Sequence, residues 1–571
     1  NPNNFNRTGW EYILREHGGR LPIRIKAVPE GMVVPTKTVL MTVENTDPNC
    51  YWLPNYLETL LVQVWYPMTV ATQSREQKKT IMDFFRQTGC PLGKAPSGVA
   101  FSLNDFGFRG VSSVESAMIG GAAHLVNFLG SDTMVAMECA QKYYGAGAGS
   151  FFECPSFSIP ASEHSTITSW GKEREVDAMR NMLTQYPDGL VACVSDSFDI
   201  FNACENLWGT QLKELIENRP PPAGRLVVRP DSGDPLEIVL KVCQILISKF
   251  GSTTTPTGHK LLPPYIRVIQ GDGVSHVTIP KILQVLADNG IAAENLAFGS
   301  GGALLQRLDR DSFKCAFKCS EIIVNGECSP VFKDPITDPG KASKKGRLTL
   351  QKASETPQDE ASLYKSSSES GVPGGTGYLH KYGDYITVAE GKGDASKDLL
   401  VEVFKDGELL KDWTFDEVRL NADLPQGPFV QSKKGTPTEA KHFDPNNIVM
   451  LTDSYKISHW KQYPPGTSTV YSYFESRGCV VEHWKEVCFF GLQYFLKKYL
   501  VGTVVTQQGI DEAYELCSHH FGAEFVAPGL TNPNNFNRTG WEYILREHGG
   551  RLPIRIKAVP EGMVVPTKTV L

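Results

Sequence analysis

The sequence predicts an α/β fold, a parallel sheet or barrel that carries its site at the carboxyl ends of the strands, with a second, mixed α+β domain beside it. Three observations predict it. Four short apolar runs, 190–194, 225–228, 265–269 and the one that opens the stretch 295–310, recur at about 30 to 40 residues, the length of a βαβ unit. Each is followed by apolar residues at helical spacing, as in Leu236, Val239, Leu240, Cys243 and Ile247, or Ile279, Ile282, Leu283 and Leu286. Each run also ends in Asp, Gly, Ser or Arg, residue types that hold ligands more readily than they fill cores.

Taken in order, the first run closes on Ser195-Asp196-Ser197-Phe198-Asp199, the second on Arg229-Pro230-Asp231-Ser232-Gly233 and the third on Gln270-Gly271-Asp272-Gly273. The fourth, NLAFGSGGALLQRLDR, reads as strand, phosphate loop and helix. Gly299, Gly301 and Gly302 let the backbone turn and bring N–H groups close to a ligand, and a helix from Ala303 points its positive end there. A lone glycine turn of this kind serves plain chain geometry equally well. Four such corners converge at one end of a sheet. They would gather acids at Asp199, Asp231 and Asp272, a cation at Arg229 and a cradle at Gly301 and Gly302. Carboxylates hold sugar hydroxyls or hydrated Mg2+, whereas glycine N–H groups and arginines hold phosphates. The set suits a phosphorylated sugar; acids at solvated loop ends are the alternative reading.

Composition narrows the class. The chain has 571 residues, 41% hydrophobic and 21% charged, with net charge -6, so two to four domains and small-molecule chemistry are expected rather than nucleic-acid binding. No run approaches the roughly 18 to 20 apolar residues that span a bilayer, and NPNNFNRTGW lacks the regions of a signal peptide. A reducing, cytoplasmic compartment is the expectation. The 13 cysteines are odd in number and scattered, and Cys315 with Cys319 has no second metal-ligand pair, so they read as mostly core thiols. The sequon Asn6-Arg7-Thr8 carries no weight without secretion.

Elsewhere the pattern is less regular. Residues 1–40 recur without substitution as 532–571, a single terminal copy unlike a solenoid repeat. Within 1–100, β-rich runs such as 21–28 mix with a helix-like apolar segment around 56–65. Ser112 with Glu115 has capping-box spacing, predicting a helix through Ala117, Ile119, His124 and Leu125. That leaves Phe106 and Arg109 in the loop before a helix N-terminus, suited to an aromatic or anionic ligand, or to a buried ring and a surface cation. Residues 352–380 are polar, Ser- and Gly-rich, and read as a mobile insertion. Lys344-Lys345-Gly346-Arg347 is a solvated basic turn, 383–420 is β-rich, and 426–445 is a linker.

The strings LTDSYKISH, DFGFRGVSS, IPASEHSTITSWG, VVRPDSGDP, RVIQGDGV and AFGSGGALLQ resemble the nicotinamide phosphoribosyltransferase family. The resemblance spans nearly the whole chain, excepting 352–380 and the linker. It implies a type II phosphoribosyltransferase fold, an α/β barrel at 101–330 beside a mixed domain assembled from 1–100 and 331–425. A displaced amino-terminal segment, 446–571, comes last, so the order is circularly permuted with a 40-residue overlap. Implied too is a homodimer with shared sites that joins nicotinamide to phosphoribosyl pyrophosphate, with Mg2+ held mainly by pyrophosphate and water, and with ATP as coupling substrate.

By resemblance, Phe106 and the partner's Tyr455 sandwich the pyridine ring, Asp132 receives the carboxamide N–H, and Ser195 and Arg229 lie near the amide oxygen. Asp231, Gly271 and Asp272 match ribose contacts, Gly301 and Gly302 the nucleotide phosphate contacts, and Arg109 the phosphate side; Asp453 falls in the same substrate-binding group. His164 matches the histidine phosphorylated by ATP, with Glu163 orienting it. Asp199 falls among acids on the pyrophosphate and metal side. Arg310, Lys318 and Arg477 match basic residues supplied across the dimer, and Lys142 one supplied within a subunit. Asn104 replaces a usual His and Ala316 a usual Ser, which implies weaker ATP coupling. Nicotinate phosphoribosyltransferase and a non-catalytic, signalling relative are the rival readings.

Overall fold

The computed structural model describes residues 4–92, 98–147, 150–219, 224–338, 341–352, 385–424, 444, 446–522 and 530–571. The expected linker, apart from Asp444, and the expected insertion, apart from Lys352, lie outside the described residues. Five parallel strands make the central sheet: β1 (Leu103–Asp105), β2 (Leu190–Val194), β3 (Arg225–Arg229), β4 (Ile266–Gln270) and β5 (Leu296–Ser300). Their order is β1-β5-β4-β3-β2. All four sequence-predicted strands are present. Alternation sorts their side chains, with Leu226, Val228, Ile266 and Val268 packing outward into the main helical core and Val227 and Ile269 turning inward.

The ring closes through two staves too irregular to count as strands. Parallel bridges join Asp105 to Ser131, Gly130 to Phe157, and Ala161 to Ala192, which carries the pairing from β1 round to β2. Phe157 N–H donates to Leu129 O at 2.8 Å and Ala192 N–H to Pro160 O at 2.9 Å. The result is an α/β barrel. Pro155 and Pro160 remove ladder donors in the closing stave, so no apolar run announces it.

Helices Pro235–Phe250 and Thr278–Asp288 cover β3 and β4 as the spacing predicts. The longest helix, Trp65–Gln87, departs from prediction. The segment near 56–65 is a series of short turns, and the helix begins where that segment ends. Its buried face includes Thr69, Ser74, Gln77 and Lys78, which hide the apolar stripe from a sequence reading. The helix Val114–Leu125 is capped by Ser113, whose hydroxyl accepts from Ser116 N–H, one residue later than expected. Not all of 383–420 is β: Thr414 and Glu417 form a capping box that starts the helix Phe415–Ala422.

The sheet of the second domain is antiparallel and runs Glu408–Leu409, Val401–Lys405, Ile23–Ala27, Met41–Asn45, so the first copy of the repeat supplies one of its two central strands. Ile13 and Ile23 are buried there with Cys50 and Leu53. The second copy forms the same helix, Arg538–His548, with Asn537 capping it as Asn6 caps Arg7–His17, but packs it on helix Gln507–His520. Its residues 554–558 make no strand. One substitution therefore has two outcomes. Ile23 is 2% exposed and Ile554 60% exposed. Ile23→Ala should cost about 2–5 kcal/mol and Ile554→Ala less than about 0.5 kcal/mol. Chemical denaturation of the two variants measures the gap, and equal costs would contradict the separate seating.

Candidate active site

The carboxyl ends of the barrel strands open on a cleft lined by Phe106, Arg109, Asp132, Arg229, Asp231, Gly271, Gly301, Asp453 and Tyr455. It continues into a mouth lined by His164, Asp231, Ser232, Gly233, Gly271, Asp272 and Arg477. Asp231 and Gly271 belong to both, so the two are one continuous site.

Phe106 leaves β1 with its N–H donated to Ser300 O at 2.9 Å, which ties the ends of β1 and β5 together. Its ring lies across Gly299, where a Cβ would collide with it. Gly299 thus serves close approach; neither it nor Gly301 nor Gly302 adopts a positive φ. The helix expected from Ala303 is only the short Gly302–Leu305. Asp309 caps a separate turn, Arg310–Ser312, which breaks the run. At β4, a Cβ on Gly271 would stand 2.6 Å from Asp231 Oδ1, so glycine there leaves room for the carboxylate.

Residues 453–462 form the opposite wall. Ser454 N–H donates to Asp132 O at 2.8 Å, and Asp453 bridges Thr133 and pairs with Arg109 at 2.5 Å. Tyr455 joins Ala161, Ala192, Val227 and Ile269, the inward residues of the barrel, and its hydroxyl bonds Arg109. Phe106 and Tyr455, the expected aromatic pair, line one cleft, with Arg477 at its mouth.

Buried Asp132 accepts from Ser158 Oγ at 2.5 Å. Burial, with the charge of Asp453 added, pushes its carboxyl up to about 7 despite Ser158 and Arg229. Glu163 is the opposite case. Burial opposes its ionisation, but hydrogen bonds from Lys456, at 2.6 Å, and Ser165 outweigh burial and hold it down to about 2. His164 begins the helix His164–Thr168 and places Nε2 3.0 Å from Asp196 Oδ1. That bond raises the imidazole above its ordinary value, against the effect of burial. Asp196 is fixed in turn by Ser232 Oγ at 2.5 Å and Asp231 N–H at 3.1 Å.

Other expected residues lie elsewhere. Asp199 caps the helix Ile200–Asn202, accepting from the N–H groups of Phe201 and Asn202, and Asp196 holds the position facing His164. Ser195 is buried, donating to Cys193 O and accepting from Trp208 Nε1, outside the cleft lining. Lys142 lies over the Tyr143 ring, Arg310 pairs with Asp311, and Lys318 sits 3.8 Å from Glu58. Gly302 opens its short helix next to Gly301. Asn104 donates to Phe101 O and Phe298 O inside the sheet. Sequence reasoning missed Asp196, Ser158 and Lys456 as partners; Lys456 stands inside LTDSYKISH and Asp196 in the tail of the first apolar run, but nothing in sequence ranks them.

Asp231 and Asp272 offer oxygens at the mouth, but among the described residues the one close group of three metal-type ligands is His17, Asp47 and Cys50 in the mixed domain. Asp231 and Asp272 are the carboxylates at the mouth that a hydrated cation would meet.

A barrel with an aromatic-walled cleft and an acid-, arginine- and glycine-lined mouth at its strand ends is built to bind a small polar molecule. The nicotinate phosphoribosyltransferase (NAPRTase) family model matches residues 101–407, and the chain belongs to that family. A second model, the nicotinamide phosphoribosyltransferase N-terminal domain, matches 447–556, after the first in this chain. The nicotinamide phosphoribosyltransferase of Xanthomonas campestris pv. campestris is 48% identical over 422 residues, 73% of this chain and 82% of that protein. That of Acinetobacter baylyi is 33% identical over 429 residues, 72% and 78% of the respective chains. Among the described residues no helix is long and apolar enough to cross a membrane.

Proposed function

We propose that this chain joins nicotinamide to phosphoribosyl pyrophosphate, giving nicotinamide mononucleotide and pyrophosphate in cytoplasmic NAD salvage. The observation that carries this reading is the continuity of the cleft. Phe106, Tyr455 and Asp132 at its inner end suit an aromatic amide, and Asp231, Gly271 and Gly301 lead out to the charged mouth.

The ring nitrogen of nicotinamide attacks C1 of the ribose as the C1–O bond to pyrophosphate breaks, and the electron pair leaves with pyrophosphate. Positive charge grows on the sugar and negative charge on the leaving group, so preplaced groups of both signs lower the barrier. Asp231 lies beside the sugar, while Arg229 and Arg109 supply cations. Asp231 and Asp272 would face a Mg2+ bound through the pyrophosphate, which would supply charge neutralisation of the leaving group. Phe106 and Tyr455 hold the ring in line, an orientation effect. Phe106→Ala should raise the nicotinamide KM about tenfold or more, from about 1–3 kcal/mol of lost stacking. Steady-state kinetics read this, and an unchanged KM would count against the sandwich.

ATP enters through His164. With Nε2–H donated to Asp196, Nδ1 keeps the lone pair that attacks the γ-phosphate, ADP leaves, and Arg477 faces the new phosphate. In a homodimer, Arg310 and Lys318, which lie away from their own cleft, serve the partner. Nicotinate is the competing substrate, and Asp132 opposes it, because an ionised carboxylate facing another costs electrostatic energy. Purified protein assayed with phosphoribosyl pyrophosphate and each base decides. Faster turnover of nicotinate, or turnover of neither, would reject the reading.

A further inference from the structure

The two copies of the repeat are buried in complementary halves. Phe536 is 5% exposed, in a core with Val505, Ile510 and Leu516, whereas the identical Phe5 is 60% exposed. At the other end Ile23 and Val39 are buried, and their counterparts Ile554 and Val570 are exposed. Identical sequences carry identical preferences, so the difference comes from their covalent neighbours. The first copy runs on into Met41–Asn45, its antiparallel partner, and the second follows the helix Gln507–His520, against which its own helix packs.

Residues 554–558 hold everything that the seat of Ile23–Ala27 selects. There Ile23, Ile25 and Ala27 stand opposite Asn45, Val43 and Met41, with Phe404 and Val401 opposite Ile25 and Ala27 on the other side. Arg24 pairs with Glu44 and Lys26 with Asp398. In the second copy Ile554 and Ile556 are exposed, and among the described residues Arg555 and Lys557 have no ion-pair partner. The N–H groups of 555–558 meet no backbone carbonyl there either. A β-rich segment with unpaired N–H groups is a template for strand pairing. Its attachment limits where it pairs. Gly550 O accepts from Val504 and Val505 N–H, both at 3.0 Å, and only 551–553 lie between that anchor and Ile554. At roughly 3.3 Å per residue, Ile554 stays within about 13 Å of Gly550, so the sheet it joins is one that diffuses to it.

We propose that residues 554–558 are a donor strand for a second chain, in which they replace Ile23–Ala27 between Met41–Asn45 and Val401–Lys405. The exchange swaps one sequence for its duplicate, so the contacts inside the sheet are unchanged. Each chain carries both a donor and a seat, and a reciprocal pair closes as a two-fold dimer. The incumbent strand keeps the advantage of its short connection to Met41, which favours it in dilute solution and makes the exchange rise with concentration. None of this depends on the transferase reading.

Val43→Cys with Ile556→Cys in the full chain places two thiols that stand directly opposite only after exchange. Opposed residues of an antiparallel pair lie about 4.5–5.5 Å apart at Cα, within disulfide range. After mild oxidation, peptide mass spectrometry should find the 43–556 disulfide in the band of two-chain mass, with a yield that rises with protein concentration. Ile23→Asp, added to this pair, puts a charge in the incumbent strand alone and should raise the yield about tenfold. Ile554→Asp is harmless at an exposed position but spoils the donor, and should lower the yield about tenfold. If Ile23→Asp does not fold, the parent pair and Ile554→Asp decide. Absence of the 43–556 link, its confinement to the single-chain band, or a yield that Ile554→Asp leaves unchanged would overturn the proposal.

Discussion

His164→Ala is expected to reduce ATP-dependent phosphate incorporation to background while transfer without ATP continues. The ring is about half exposed at the mouth, with its side chain 47% accessible, so ATP can reach it, and no other residue of the mouth is a comparable nucleophile. Its titration adds a second expectation. The bond to Asp196 favours the imidazolium, which has no lone pair to give, so labelling should rise with pH through a midpoint above about 6.5. Asp196→Asn removes that support and should move the midpoint down. The same raised value contributes a small, solvent-screened stability below about pH 6.5 that is lost as pH rises through the folded value. Labelling with γ-32P-ATP from pH 5.5 to 8.5 measures both. Label retained in His164→Ala, or one midpoint shared by wild type and Asp196→Asn, would remove His164 from its role.

Parts of this arrangement were legible from the chain, and physics explains where legibility ended. Strands β2 to β5 announce themselves because each is an apolar run buried on both faces, and their carboxyl ends and the loops after them carry Arg229, Asp231, Asp272 and Gly301 into the cleft. The closing staves hold Gly130, Pro155 and Pro160 instead, so no periodicity marks them. Asp196 and Asp199 are chemically alike and three residues apart; only the fold shows one facing His164 and the other spent on a helix cap. Likewise identical sequence does not fix identical structure in the repeat. Copy one is followed by Met41–Asn45, its antiparallel neighbour, whereas copy two leaves Ile554 in solvent. Phe106 is placed by the capping signal of the helix after it, whereas Tyr455 carries no pattern of its own and is found only through resemblance.

Discrimination between amide and acid should depend on pH, because Asp132 titrates inside the working range. Burial and Asp453 push its carboxyl up to about 7. Above that value it is an anion that accepts the carboxamide N–H and repels the carboxylate of nicotinate. Two unit charges about 4 Å apart at an effective dielectric of about 20 repel by about 4 kcal/mol, close to a thousandfold in kcat/KM. Below it, a neutral acid can donate to the nicotinate carboxylate. The protonated fraction rises from about a tenth at pH 8 to about nine tenths at pH 6. The nicotinate-to-nicotinamide ratio of kcat/KM should therefore rise about tenfold across that interval. Stability has the same sign: a raised carboxyl favours the fold at low pH, and that contribution is lost as pH climbs through about 7. Asp132→Asn keeps a polar group of the same size but cannot ionise, so its ratio should be flat with pH and shifted toward nicotinate. A wild-type ratio that does not change between pH 6 and 8 would mean that Asp132 does not face the substrate's carbonyl group.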